Sequence, residues 1–331
     1  MNARKISVLR LLSDGEIHSV TSIAAYIQCS TTEIHNTLRH INIPNIILIG
    51  FNNKGYWWKN PFNWLNEDLI FKNLVRNIVD KVIYLRILDH VDSTNNYLLL
   101  NELEKRHDIN DCISVVAAEL QTNGRGRWGR SWHSGLGESL TFSIGWLTSR
   151  SISCLTGLSL VIGIAIIRVF NSLAIKNVYL KWPNDILFNN KKLGGILIEL
   201  RKKKTDSTTY CVIGIGINFR LSDNIKCLVK QNIIDLFTIT GVSIDRNLIL
   251  GRLLSELHKV LIDFEKYSFN YFMEEWISYH GFEGKKVNLF LPNDSVIEGI
   301  ASGVDPNGAL VLLTEEGKKI FNVGDISLRL K

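Results

Sequence analysis

Three short amphipathic segments open the chain. Apolar positions recur at helical spacing in Ile6–Leu12 and again in Val20–Gln28, which Ser19 can cap. A third segment begins after Ser30, where Ser30 and Glu33 match a capping box, an arrangement in which each side chain satisfies the other's exposed backbone N–H. This pattern predicts three short helices within the first 41 residues.

A β-hairpin pattern follows the third helix. The strand-like stretches Ile46–Phe51 and Tyr56–Trp58 flank Asn52-Asn53-Lys54-Gly55, a typical hairpin turn sequence. Helix–turn–helix followed by a β wing predicts a winged helix-turn-helix over residues 1–65, and a small helical domain without a role in DNA binding is the alternative. The candidate DNA contacts are polar residues on the outer face of the third helix and one wing lysine: Thr31, Thr32, His35, Asn36, Arg39 and Lys54.

From residue 81 onward the pattern changes to strands separated by short polar turns. Hairpin-length gaps predict a largely antiparallel sheet with helices packed against it, hence an α+β fold and not a parallel doubly wound sheet. Residues 153–173 read as one buried helix, because the apolar run Leu155–Ile167 is too short and too often interrupted to span a bilayer. A helical pattern also covers Asp245 to about His280.

Short strands and turns rich in Pro, Asn, Asp and Gly occupy the last 47 residues, from Lys285, and predict a small all-β barrel-like module. The length of 331 residues by itself suggests about two domains. The pattern resolves three: residues 1–65, residues 66–275 and residues 280–331.

Composition narrows the class of protein. Five cysteines without a CxxC pair indicate a reducing compartment and neither a disulfide framework nor a zinc site. The N-terminus lacks the apolar core of a signal peptide, so a cytoplasmic location without membrane attachment is expected. The net charge of +6 fits either nucleic acid or an anionic substrate. Half of it falls in residues 1–60, where six Lys and Arg face three acids.

The segment Gly124-Arg-Gly-Arg-Trp-Gly-Arg130 carries the second basic focus. It fits G-x-G-x-x-G literally, but a dinucleotide fingerprint needs a helix directly afterwards and an acid about 20 residues on. Here a loop leads into a strand and residue 144 is Ile, and no P-loop lysine follows. Glycines allow close backbone approach, and guanidinium groups bind phosphate or carboxylate bidentately. The segment therefore favours a loop that wraps an anionic ligand, with a solvated basic turn as the alternative.

Lys181-Trp-Pro-Asn-Asp185 and the following Lys192–Glu199 form a second chemical cluster. A lysine before a proline-fixed turn is placed to meet a carboxylate or phosphate as a point charge. Asp185 is a candidate Mg²⁺ ligand, since this ion prefers carboxylate and water oxygens. Gly194 and Gly195 within a strand indicate close approach by a ligand. Taken alone, the cluster is more typical of a hairpin with exposed lysines than of a ligand site.

Together these motifs resemble the biotin–protein ligase family. The motifs are DSTN at 92–95, QTNGRGRWGR at 121–130, KWPND at 181–185, KLGGILIE at 192–199, VIGIGIN at 212–218 and GDISLR at 324–329. With the winged helix in front, the likeness is closest to the bifunctional members that are also repressors of the biotin operon. The resemblance implies a class II synthetase-like core with a C-terminal SH3-like barrel.

The resemblance also implies the chemistry. Biotin and ATP would form biotinyl-5′-adenylate, and biotin would pass to a lysine of the biotin carrier protein of acetyl-CoA carboxylase. Lys192, Arg127 and Lys181 would be catalytic. The biotin site would comprise Ser93, Thr94, Asn95, Gln121, Arg125, Gly126, Arg127 and Lys192. The ATP or adenylate site would comprise Gly124, Arg130, Asp185, Asn218 and Arg329, with Mg²⁺ on Asp185.

Partners and alternatives follow from the same resemblance. It implies operator DNA with the adenylate as corepressor, and a homodimer of the adenylate-bound form through the strand that ends near Glu199. Bifunctional relatives often place a tryptophan over the adenine, where this chain has Ile233. Two alternatives stay open: a ligase with a purely structural N-terminal domain, and a relative that handles lipoate or octanoate.

Overall fold

The computed structural model describes residues 3–43, 46–51, 54–101, 112–202, 208–229, 231–291, 295–322 and 327–331. At the N-terminus, α1 (Ala3–Leu12), α2 (Val20–Ile27) and α3 (Thr31–Arg39) precede a hairpin of β1 (Ile47–Phe51) and β2 (Gly55–Lys59). Ser19 caps α2, and the capping box of Ser30 and Glu33 is present at α3, as predicted. Turn residues 52 and 53 lie outside the described residues.

These elements share a small apolar core. Its buried members come from all three helices and from β2, and they include Leu9, Leu12, Ile23, Ile34 and Trp58. The outer face of α3 is left to solvent, because the apolar positions of this helix point inward.

A seven-stranded mixed sheet forms the centre of the molecule, in the order β3-β4-β7-β11-β10-β9-β8. Its strands are β3 (Val82–Leu88), β4 (Ile113–Ala118), β7 (Ser139–Thr148), β8 (Val178–Lys181), β9 (Asp185–Phe188), β10 (Lys191–Lys202) and β11 (Thr209–Asn218). Only β3 and β4 run parallel among the described pairs. A separate miniature hairpin joins β5 (Gly124–Arg125) to β6 (Ser131–Trp132).

Helices pack on both faces of this sheet. They are α4 (Glu67–Lys72), α5 (Thr94–Leu100), α6 (Leu158–Ser172), α7 (Asp223–Leu228), α8 (Leu236–Thr240), α9 (Arg246–Tyr267) and α10 (Met273–Tyr279). The helix predicted from Asp245 to His280 is wrong as one element: α9 ends before Ser268, which has φ +61°. A 3-10 turn there buries Phe269 and Phe272 in the core.

Helix α6 is the buried core helix that the sequence predicts. It starts at Leu158, later than expected, after Gly157 with φ +81°. Among the described residues, Ile152–Ser172 is long and apolar enough to cross a membrane by length and composition, and it contains the shorter predicted run Leu155–Ile167. Two thirds of that window (67%) is buried inside the protein, where α6 packs against α9 and the sheet.

The C-terminal part forms a five-stranded antiparallel sheet, in the order β15-β14-β13-β12-β16. The strands are β12 (Lys286–Phe290), β13 (Val296–Val304), β14 (Leu310–Thr314), β15 (Gly317–Phe321) and β16 (Ser327–Leu330). Residues 324–326 of the predicted GDISLR motif lie outside the described residues. The Trp182 indole N–H donates to the Gly308 carbonyl oxygen at 3.0 Å and thereby ties this sheet to the β8–β9 turn.

A buried ion pair holds the segment that links β2 to α4. Arg246 and Glu119 lie 2.7 Å apart with side chains 4% and 0% exposed. Glu119 also accepts the backbone N–H of Leu65 at 2.6 Å, and Arg246 donates to the Asn63 carbonyl oxygen at 2.8 Å. Both charges are thus paired and hydrogen-bonded, which offsets the cost of removing them from water.

Candidate functional site

A cavity of about 940 Å³ lies between α5, the β5–β6 hairpin, the β8–β9 turn and the C-terminal sheet. This is the size range of sites for small ligands and cofactors. The sequence-predicted ligase residues that line it are Ser93, Thr94, Asn95, Gln121, Arg125, Gly126, Arg127, Arg130, Lys181, Asp185, Lys192 and Arg329. Gly124 and Asn218 do not line the cavity.

One wall of the cavity is a buried polar network at the start of α5. Gln121 Oε1 accepts one hydrogen bond from the backbone N–H of Thr94 at 2.8 Å and another from the Thr94 hydroxyl at 3.1 Å. Ser143 Oγ lies 2.6 Å from Thr94 Oγ1 and 2.5 Å from Asn95 Oδ1. Ser93 caps α5. These groups fix one another's orientation, so a ligand would meet an arranged set of neutral donors and acceptors.

The Gly–Arg segment folds over the cavity as the β5–β6 hairpin. Its tip is closed by a hydrogen bond from the Gly126 N–H to the Arg130 carbonyl oxygen at 2.7 Å. Trp128 and Gly129 both take the left-handed conformation there, at φ +63° and +65°. Such a conformation costs little for glycine and about 1 kcal/mol or more for tryptophan. Trp128 is also 52% exposed, so a large apolar side chain lies at the tip of the hairpin. The hairpin, residues 124–132, is called the flap below.

Two arginines of the flap contact the core from opposite sides of the cavity. Arg125 donates to Glu199 Oε1 at 3.1 Å and to Asn96 Oδ1 at 2.5 Å. Arg127 donates to Asn184 Oδ1 at 3.4 Å, and the Asn184 amide in turn donates to the backbone of β10. The flap is therefore joined to both α5 and the β8–β9 turn.

A cluster of three charges lies on the β8–β9–β10 side. Lys192 Nζ is 2.7 Å from Asp185 Oδ1, and Lys181 Nζ is 3.2 Å from Asp185 Oδ2. Burial alone would raise the pKa of Asp185, but the two ammonium groups outweigh it and hold this pKa below its usual value. The cluster keeps one net positive charge, which suits an anionic ligand.

Glycines of β11 create the space that the site occupies. A Cβ at Gly214 would stand 2.4 Å from Asn95 Oδ1, and one at Gly216 would stand 2.6 Å from the Trp132 ring. The Trp132 ring forms part of the cavity wall next to β11, and Lys192 Nζ lies 6.0 Å from its centroid. The VIGIGIN motif thus provides room for a polar residue and for an aromatic one.

Two predicted nucleotide-site residues have structural contacts next to the cavity. Gly124 packs against the Trp132 backbone and the Gln121 amide, where a Cβ would be too close. Asn218 donates its amide to the Ile234 carbonyl oxygen at 3.0 Å and lies 3.4 Å from that of Lys192. It therefore supports the segment around Ile233, which bridges to Lys192. A ligand contact by either residue remains a prediction.

The metal expected on Asp185 does not suit the surroundings of this carboxylate. Both of its oxygens face ammonium groups, and the described residues contain no group of three or more His, Cys, Asp or Glu that could hold a metal ion. A cation would have to displace two lysines whose charge the site needs. The assignment of Mg²⁺ to Asp185 stays a prediction that this geometry disfavours.

Sequence reasoning did not single out three residues that organise the site: Ser143, Asn184 and Glu199. Each contacts a predicted site residue directly. Asn184 lies within the KWPND motif, so its motif membership was a usable signal. A hydroxyl in the apolar strand β7 was the signal for Ser143.

The candidate DNA contacts all lie on the surface. Thr31, Thr32, His35, Asn36 and Arg39 share the exposed side of α3, and Lys54 is exposed next to β2. The structure brings five of these residues onto one helix face.

Comparison with known proteins identifies two family domains. Residues 88–218 match the biotin/lipoate A/B protein ligase family, and residues 283–329 match the biotin protein ligase C-terminal domain. The chain is 33% identical over 330 residues to the bifunctional ligase/repressor BirA of Escherichia coli, covering 99% of this chain and 98% of that protein. The Salmonella typhimurium protein of the same name is 32% identical over 324 residues, covering 98% and 97%.

A solved structure agrees with these matches. The biotin protein ligase from Aquifex aeolicus in complex with biotin and ATP superposes with a TM-score of 0.62 at 31% identity, covering 75% of this chain and 100% of that one. The structural match and the near full-length sequence matches point the same way. The chain belongs to the biotin protein ligases of the biotin/lipoate A/B protein ligase family.

Proposed function

We propose that this protein is a biotin–protein ligase. It activates biotin with ATP to biotinyl-5′-adenylate and then transfers biotin to a lysine of the biotin carrier protein of acetyl-CoA carboxylase. The observation that carries the proposal is the cavity itself, which combines neutral hydrogen-bonding groups at the start of α5 with Lys181, Lys192 and the arginines of the flap. The relatives named ligases support it.

The first step brings two anions together. A carboxylate oxygen of biotin attacks the α-phosphorus of ATP, the bond from that phosphorus to the bridging oxygen of the β-phosphate breaks, and pyrophosphate leaves. Lys192 and Arg127 would neutralise the approaching charges, and Lys181 would hold the nucleotide end, because positive groups arranged in advance lower such a barrier most. No step is assigned to Mg²⁺ through Asp185.

In the second step the carrier lysine, as a free amine, attacks the acyl carbon, the acyl–oxygen bond breaks, AMP leaves with the bonding electron pair, and the new amide nitrogen loses a proton to solvent. The mixed anhydride must be kept from water until then. The β5–β6 flap serves this purpose, since its arginines reach both sides of the cavity, and lids that exclude water commonly protect reactive intermediates.

Biotin-dependent exchange of pyrophosphate into ATP tests this activity. Exchange that requires biotin is the expected result. Exchange with lipoate or octanoate instead would favour the relative that handles those acids, and no exchange with any of them would refute the proposal. Incorporation of biotin into the carrier protein tests the second step.

The N-terminal part is proposed to be a winged helix-turn-helix that represses the biotin operon, with biotinyl-5′-adenylate as corepressor. Support comes from the exposed polar face of α3, from the β1–β2 wing, and from the bifunctional names of the relatives. A gel shift with operator DNA, with and without biotin and ATP at several salt concentrations, tests it. Arg39→Ala should weaken binding and lower the salt slope by about 1. A wild-type protein that never retards the operator would leave a ligase with a structural N-terminal domain.

We infer three domains, at residues 1–65, 66–275 and 280–331. The core would be class II synthetase-like and the C-terminal sheet SH3-like, and the protein would be cytoplasmic. A homodimer of the adenylate-bound form would use β10, because from Leu197 onward this strand has only β11 as a described strand partner. Sedimentation with and without biotin and ATP tests the dimer.

A further inference from the structure

The Glu199 carboxylate joins two residues of the biotin site without lining the cavity itself. Asn95 Nδ2 donates to Glu199 Oε2 at 2.7 Å. Arg125 Nη2 donates to Glu199 Oε1 at 3.1 Å and lies 3.3 Å from Oε2. Asn95 belongs to α5 and Arg125 to the flap, so this one carboxylate connects two separate elements.

Glu199 fixes which way the Asn95 amide points. A carboxylate only accepts hydrogen bonds, so the amide nitrogen must face Glu199. The amide oxygen then faces Ser143 Oγ, 2.5 Å away, and the Asn95 side chain is nearly fully buried. The Asn95 nitrogen also donates to the Leu197 carbonyl oxygen at 3.4 Å, so β10 takes both of its N–H groups and only the amide oxygen has a lone pair left for a ligand in the cavity.

Glu199 also fixes the orientation of the Arg125 guanidinium. Its Nη2 is held by Glu199 and by Asn96, whereas the buried Arg125 Nε has no described hydrogen-bond partner. This donor is therefore left for a ligand acceptor. The negative charge of Glu199 offsets the positive charge of Arg125. This end of the cavity therefore suits a neutral hydrogen-bonding group, in contrast to the net positive cluster around Lys192.

We propose that Glu199 is a positioning residue that orients Asn95 and Arg125 for binding of the uncharged ring of biotin. The inference rests on the proposed ligase function and deepens it. Glu199 acts through its two neighbours, so its removal should affect biotin binding and leave ATP binding nearly unchanged.

The test compares Glu199→Ala and Glu199→Gln with the matched control Lys202→Ala, an exposed position on the same strand. Michaelis constants for biotin and ATP come from pyrophosphate exchange, biotin affinity from calorimetry, and Tm from thermal unfolding. E199A should raise the KM and Kd for biotin about tenfold or more, the loss expected for hydrogen bonds to a charged group, with the KM for ATP within about twofold.

Three further results are expected. E199Q keeps one oxygen acceptor for Asn95 and should recover most of the biotin affinity. In a double-mutant cycle, E199A should cost less biotin affinity in the Asn95→Ala background than in wild type, since part of its effect acts through Asn95 and the rest through Arg125. K202A should behave as wild type.

The outcomes separate the two proposals. E199A with biotin constants within about twofold of wild type would overturn the positioning role. Equal loss toward biotin and ATP, with a lowered Tm and no rescue by E199Q, would also overturn it, because that result indicates a structural role in β10. Absence of biotin-dependent exchange in the wild type would instead refute the ligase function, and this inference with it.

Discussion

Lys192→Ala is the most direct test of the charge arrangement at the reacting centre. The ammonium group lies in the cavity, 2.7 Å from Asp185 Oδ1, with its side chain 23% exposed. Its backbone is bonded separately: the Lys192 N–H donates to the Asn232 carbonyl oxygen, and its own carbonyl oxygen accepts the Ile234 N–H. The substitution therefore removes the charge and leaves this part of the backbone in place.

The expected magnitude follows from the loss of one positive charge beside two anions. At about 4 Å and an effective dielectric constant of about 20, a pair of unit charges interacts with about 4 kcal/mol, or roughly a thousandfold in rate. Lys181 stays 3.2 Å from Asp185 and compensates in part. Removal of one electrostatic group from a reacting site typically costs about 100- to 1000-fold. We expect K192A to slow adenylation at least about 100-fold.

Biotin-dependent pyrophosphate exchange measures this step. The matched control is Lys191→Ala, which removes the neighbouring exposed lysine of the same strand and should leave exchange unchanged. Lys192→Arg keeps the charge and should retain more activity than K192A. Comparable Tm values would exclude unfolding as the cause. Exchange by K192A within about fivefold of wild type would refute the assignment of Lys192 to the reacting charges.

The other predictions concern the surroundings of the site and the cysteines. Asp185→Asn should lower stability near neutral pH. The difference from wild type in denaturant unfolding should shrink as the pH falls below the unfolded pKa of about 3.9 and vanish only below the depressed folded pKa of Asp185; a pH-independent difference would contradict this. Gly216→Ala should cost about 1–3 kcal/mol of unfolding free energy by forcing the Trp132 ring to move, and unchanged stability would contradict it. Iodoacetamide should label exposed Cys154, whose pKa is lowered by the Ser151 hydroxyl, and should spare Cys211, whose pKa is raised by burial, until the protein unfolds; mass spectrometry of the native protein checks both.

Local sequence signals predicted much of the fold correctly. The capping box at Ser30 and the α6 core helix depend on residues close together in the chain, and both are present. The basic segment was expected as a loop between strands, and it forms the β5–β6 hairpin over the cavity. Spacing within one segment is enough for such features, because their energetics are local.

Features that depend on distant partners were not predicted. The end of α9 at Ser268 follows from burial of Phe269, which packs where a side chain on Gly157 would collide with it. Nothing in the helical periodicity of residues 245–280 reveals that contact. Likewise, the role of Glu199 becomes visible only when β10 lies in register with β11 and faces α5.

Strand register explains how residues far apart in the sequence come together in the site. In β11, Ile213, Ile215 and Ile217 point into the core, while Gly214 and Gly216 occupy the opposite face. The register places Gly214 opposite Ser143 of β7 and Gly216 opposite Gly195 of β10. Directly paired residues share a sheet face, and so do alternate residues along a strand. The small and polar positions of three strands therefore fall on one face, and that face is the floor of the cavity.

The alternation of isoleucine and glycine is thus a signal for a ligand site as well as for a strand. A sheet face needs side chains to pack against helices, and α6 and α9 provide that packing on the isoleucine face. Glycines on the other face leave space that α5 and Trp132 fill only in part. A single sequence shows the alternation but not the register. It could therefore predict that a ligand approaches these strands, and only the structure shows that Ser143 and Glu199 belong to the same face.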